Sequence, residues 1–161
     1  MPRSTHAASL VLAALLVATP GPGHAQQDLR WRPPVTPVDV VRDFHPPAER
    51  WLPGHRGVDL RTTPGQRVRA AGDGRVAFAG TLAGRGVVSV DHGALRTTYE
   101  PVDAQVLVGE RVRAGQTLGT VGTGTGHCGS GSCLHLGLRR GRQYLDPLLI
   151  LGRASARLRP W

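Results

Sequence analysis

Hydrophobic and polar residues alternate with period two along much of this chain, and no window of a dozen residues carries a convincing helical stripe. The clearest case is Cys133-Leu134-His135-Leu136-Gly137-Leu138. Leu134, Leu136 and Leu138 face a core, and Cys133, His135 and Gly137 face the other side, the pattern of a half-buried strand. Short runs of β-branched, aliphatic and aromatic residues recur at residues 75–79, 87–90, 95–99 and 117–121, separated by glycine-bearing turns. Residues 87–90 and 95–99 flank Asp91-His92-Gly93-Ala94 and read as a hairpin in which His92 ties down the turn. Gly65-Gln66-Arg67-Val68-Arg69-Ala70 is echoed by Gly109-Glu110-Arg111-Val112-Arg113-Ala114, each copy preceding a second short strand. Two copies are too few for a solenoid and predict two similar hairpins. Leu148-Leu149-Ile150-Leu151 fits a short helix or a buried strand. The fold class expected is all-β, a single β-roll or sandwich of short antiparallel strands with a glycine-rich loop, residues 122–132, beside the site.

The ends read differently. Arg3 is followed by an apolar run over residues 7–18, then by Pro20, Gly21, Pro22 and Gly23 and a small-x-small end at Gly23-His24-Ala25. This is the pattern of a secretory signal peptide, residues 1–25, and the run is short for a bilayer span. The expected protein is secreted or wall-associated, with no membrane span once the leader is removed. Residues 26–50 form a proline-rich lead-in, with one strand expected within 38–44 and His45 at the surface. The β domain is expected over residues 51–151 and a loose basic tail over 152–161.

Removing the leader leaves 136 of the 161 residues, enough for one domain with a real core. All 20 basic residues are arginine, and the formal charge of +9 becomes +8 without Arg3. Such a charge favours polyanions. Export and the scarcity of stacking aromatics argue against nucleic acid and for an anionic cell envelope.

The polar side of the 133–138 strand has a counterpart upstream. In His55-Arg56-Gly57-Val58-Asp59-Leu60, an extended chain puts His55, Gly57 and Asp59 on one face. Two imidazoles and a carboxylate suit a divalent metal such as zinc, and three protein ligands leave a fourth position for water.

The residues from about Trp51 to Leu151 resemble the lysostaphin/LytM-type zinc metallopeptidases, many of which cut peptidoglycan cross-bridges. The matching pieces are Gly54-His55-Arg56-Gly57-Val58-Asp59-Leu60, Pro64-Gly65-Gln66-Arg67-Val68-Arg69-Ala70, Gly72-Asp73-Gly74-Arg75-Val76, Val90-Asp91-His92-Gly93, Thr98-Tyr99, Val112-Arg113-Ala114-Gly115-Gln116, Leu134-His135 and Asp146-Pro147, in the family's order. The resemblance implies Zn²⁺ on His55, Asp59 and His135, and hydrolysis of cross-bridge or stem peptides by metal-activated water. Two supporting histidines of the family are replaced here, one by Cys133 and the other, by direct count, by Pro101. Glu100 is then a candidate general base, and His127 a candidate donor from the loop.

Cys133 admits three readings: a fourth zinc ligand closing the site, a free nucleophile, or a disulfide with Cys128. Two cysteines in an exported chain, five positions apart, favour the disulfide. Two functions follow from the sequence. One is a zinc endopeptidase of the wall, and the other a catalytically weakened module that binds the wall or regulates another wall hydrolase.

Overall fold

The computed structural model describes residues 31–49, 51–123, 128 and 131–152. The signal peptide expected at 1–25, the basic tail from 153 onward and His127 lie outside the described residues.

Alternation becomes sheet as expected. The elements are β1 (Val40–Arg42), β2 (Gly57–Arg61), β3 (Arg67–Arg69), β4 (Gly74–Leu82), β5 (Arg85–Asp91), β6 (Leu95–Glu100), β7 (Val102–Ala104), β8 (Arg111–Val112), β9 (Thr117–Val121), β10 (Cys133–Arg140), β11 (Gln143–Leu145) and α1 (Leu148–Leu151). The chain is all-β, and its single short helix among the described residues is the 148–151 run. One antiparallel sheet has the order β1-β2-β10-β6-β5-β4-β8, with β11 also on β10, and a second has the order β3-β9-β7. Leu60, Leu134, Leu136, Val88, Val90 and Tyr99 from the large sheet join Val68, Leu118, Val121 and Val102 from the small one in a single buried cluster. Burying one such aliphatic side chain stabilises the fold by about 1.5–3 kcal/mol before entropy is counted. No helix among the described residues is long and apolar enough to cross a membrane.

The internal echo does not form two hairpins. Its strands exchange partners: β3 of the first copy pairs with β9 of the second, and β8 of the second pairs with β4 of the first. The turns still match. Thr63 N–H donates to Gln66 Oε1, and Leu107 N–H to Glu110 Oε2, the same contact 44 residues on. Local sequence therefore shapes each turn, while burial of Val68 and Val112 in different sheets decides the pairing.

The lead-in is part of the sheet. Its strand is shorter than expected, three residues on the edge of β2 with a register shift between Val40 and Arg42. Beyond it His45, exposed as expected, exchanges both backbone hydrogen bonds with His55, at 3.0 and 2.7 Å. That bridge fixes the chain just before β2.

Candidate metal centre

Strand register brings the polar face together. β10 lies between β2 and β6, and His135 is directly opposite Asp59 on one side and Glu100 on the other. Residues so paired project from the same side of the sheet. His55 reaches that side from the bridged segment before β2.

Three atoms converge. His55 Nε2 is 3.0 Å from Asp59 Oδ1 and 3.1 Å from His135 Nδ1, and His135 Nδ1 is 2.8 Å from Asp59 Oδ1. The cluster is buried, with Asp59 wholly inaccessible. His55 Nδ1 lies 2.6 Å from the carbonyl of Asp43, which can only accept, so that nitrogen carries the proton. In the neutral ring Nε2 is then a bare lone pair aimed at the carboxylate. Two lone pairs at 3.0 Å repel unless a proton or a cation stands between them. Asp59 Oδ2 is buried and has no hydrogen-bond partner among the described residues. Burial alone would raise the Asp59 pKa, but hydrogen bonds and charge attraction from His135 and His55 outweigh it and hold the carboxyl below its ordinary value.

The donor chemistry fits zinc. Two imidazole nitrogens and one carboxylate oxygen are its common hydrolytic set, with ligand distances of about 2.0–2.2 Å. At those distances tetrahedral donors stand about 3.3–3.6 Å apart, so these need to spread by only a few tenths of an ångström. Gly57 makes room for the second imidazole. A Cβ there would fall 2.2 Å from Leu136 O and 2.7 Å from His135 Nε2.

The remaining candidates fall around this point. The Glu100 carboxylate does not join the three converging groups and lies 3.4 Å from Arg85 Nε. Cys133 is bonded to Cys128 across the glycine-rich loop, with Cα atoms 6.0 Å apart. Both sulfurs lie within 4.8 Å of an Asp59 oxygen. A cleft of about 340 Å³ opens here between Arg42, Asp59, Arg61, Cys128 and Ser132. His92 is elsewhere, bound through Nδ1 to Asp73 O at 2.7 Å and through Nε2 to Thr97 Oγ1 at 2.8 Å. The Asp43 carbonyl is the member of the site that residue types alone did not point to.

Residues 53–147 match the sequence model of peptidase family M23. The chain belongs to that family. Within M23, it is 47% identical to protein Rv2891 of Mycobacterium tuberculosis over 144 residues, covering 86% of this chain and 58% of that one. It thus spans less than two thirds of that relative. It is 38% identical over 107 residues to the murein hydrolase activator EnvC of Escherichia coli, covering 65% of this chain and 24% of EnvC. Among solved structures it superposes on Helicobacter pylori Csd3 with a TM-score of 0.63 and 28% identity, covering 81% of this chain and 37% of Csd3.

Proposed function

We propose that this M23 domain is an exported zinc metalloendopeptidase acting on stem or cross-bridge peptides of peptidoglycan. The observation that carries the reading is the convergence of His55 Nε2, Asp59 Oδ1 and His135 Nδ1 with no intervening donor proton supplied by a neutral His55. Zinc held there supplies Lewis acidity, which lowers the pKa of water and polarises a carbonyl. The chain's own residues hold the geometry. Asp43 O fixes the His55 ring, the β2–β10 register fixes Asp59 against His135, and Gly57 leaves space for the His135 ring. Glu100, on the same side as His135, is the candidate base, and His127 the candidate loop donor.

The second reading is a weakened relative that binds the wall or regulates another wall hydrolase. It is favoured by the family resemblance, which by direct count puts two supporting histidines at Cys133, here disulfide-bonded, and at Pro101, here buried. The similarity to EnvC, named as an activator, points the same way. One experiment separates the two. Purified cell wall is incubated with the zinc-loaded protein and with His135→Ala, and released peptides are measured. Zinc-dependent release lost in His135→Ala supports the peptidase. Zinc binding without release supports the regulator.

A further inference from the structure

Strand register extends the face of the metal cluster across the large sheet. The row holding His135 contains Asp59 and Glu100. The next row on that side is Gly57, Gly137, Thr98 and Ser89, with no side chain larger than threonine from β2 to β5, and it ends on β4 at Phe78, opposite Ser89. The row after it is Arg139, Arg96, Asp91, Arg75 and Arg111, one residue from each of β10, β6, β5, β4 and β8. It crosses four inter-strand steps, about 19 Å, and lies four residues along β10 from His135, about 13 Å.

This row is strongly basic, with four guanidinium groups against one carboxylate. Arg96 grips Asp91 through two nitrogens, which leaves Arg139, Arg75 and Arg111 as the surplus. Arg75 and Arg111 are exposed and Arg139 partly so. Neither Arg111 nor Arg139 has a hydrogen-bond partner among the described residues. Arg139 is close enough to Asp91 to help hold its carboxyl below the ordinary value, after the hydrogen bond from Arg96. At its far end the row opens into a cleft of about 980 Å³ that adds Asp73, His92, Arg113 and Gln116 to Arg75, Asp91 and Arg111.

We propose that this arginine row is a specificity rail, which holds the carboxylates of an extended acidic wall peptide lying across the strands on the Gly57–Ser89 row. The proposal rests on the reading of the chain as a domain directed at wall peptides, and it names the kind of peptide. An extended peptide sends alternate side chains to opposite flanks, about 6.7 Å apart along each flank. Here one flank is the metal cluster and the other a line of guanidinium forks, which match carboxylates two-pronged. The low row between them is one residue wide, room for a single chain. A phosphodiester polymer would also meet the arginines, but it carries no peptide bond to present to the metal cluster beside them.

The test uses binding rather than turnover. Peptidoglycan sacculi are stripped of phosphodiester-linked polymer with hydrofluoric acid, then left with free carboxylates or amidated by carbodiimide and ammonia. Purified protein is sedimented with each. The wild type should bind the free-carboxylate sacculi, and the combined Arg75→Gln, Arg111→Gln, Arg139→Gln variant should bind them about tenfold more weakly, the sum of three exposed charge pairs. Amidation should weaken the wild type to the same level and leave the variant unchanged. If the combined variant melts early, Arg111→Gln alone, at the exposed edge, should still lose about two- to threefold. Equal binding by wild type and variant overturns the proposal, as does indifference to amidation. Binding seen only before hydrofluoric-acid treatment assigns the row to phosphodiester polymer and also overturns it. The wild type is also assayed for peptide release from the sacculi to which it shows carboxylate-dependent binding. Failure of wall cleavage with that binding intact removes the peptidase reading and leaves the rail standing.

Discussion

Replacing His135 by alanine tests the metal centre most directly, because two effects on stability separate cleanly. Without metal, the substitution removes the 2.8 Å contact to Asp59 Oδ1 and leaves a fully buried carboxylate with His55 as its remaining hydrogen-bond partner among the described residues. Under-satisfying a buried group of this kind costs about 1–3 kcal/mol. With metal, the wild type gains a linkage term, about 2.7 kcal/mol at a zinc concentration one hundred times Kd. For a domain of this size each kcal/mol moves Tm by about 3–5 °C, so zinc should raise the wild-type Tm by about 10 °C. In His135→Ala that increment should vanish, because two donors remain where three converged. Thermal unfolding of both proteins, in chelator and in zinc, gives the four values of a double difference. A purely structural hydrogen-bond network predicts a lower Tm for the variant by the same amount in both conditions and no zinc shift in either. An equal zinc shift in both proteins would place the ion somewhere other than at His55, Asp59 and His135.

Three further outcomes are expected. Glu100→Gln should abolish wall cleavage while the zinc-induced Tm shift is kept; cleavage at the wild-type rate would remove Glu100 as base. Gly57→Ala should destabilise the domain by about 1–3 kcal/mol through overpacking and weaken zinc binding, since its Cβ would strike Leu136 O and crowd His135 Nε2. The third concerns pH. Burial pushes the His92 pKa below its ordinary value, against the opposing hydrogen bond to Asp73 O. Above about pH 6.5 both folded and unfolded chains hold it neutral; below that the unfolded chain takes up the proton first, so stability falls with pH. His92→Gln should flatten denaturant-measured stability between about pH 6.5 and 5, and an unchanged slope would show that His92 does not carry it.

How far the site was legible depends on whether a residue's role lies in its side chain or in its neighbours. His55 and Asp59 stand four apart on one extended face, and His135 sits on an alternating strand, so local period alone puts each on a polar side. That the two faces are the same face is a matter of β2–β10 pairing across more than seventy residues, which only the family resemblance anticipated. The Asp43 carbonyl could not be read at all, because every residue has one and only the β1 path decides which faces His55. The echo misled for a related reason. The echo of residues 65–70 at 109–114 was visible, but the choice of partner strand is made by burial in two different sheets. The arginine row is the extreme case. Positions 75, 91, 96, 111 and 139 show no spacing in the chain and become neighbours only through four strand pairings.

The disulfide bears on what kind of metal site this chain can hold. Asp59 belongs to two groups of candidate donors, one with the imidazoles of His55 and His135 and one with the sulfurs of Cys128 and Cys133, each within 4.8 Å. A free Cys133 thiolate would add an anionic donor near the Asp59 carboxylate, and a fourth ligand is what makes a zinc site closed and structural. Bonded to Cys128, that sulfur is no longer an anionic donor, and the set that remains has three members. Three ligands leave one position, which is the feature that distinguishes hydrolytic zinc from structural zinc. The replacement of a supporting histidine by cysteine therefore removes a helper at Cys133 without closing the centre, provided that the chain works where disulfides persist. Export to an oxidising compartment, expected from residues 1–25, is that condition. The open position and the leader expected at residues 1–25 thus bear on the same condition.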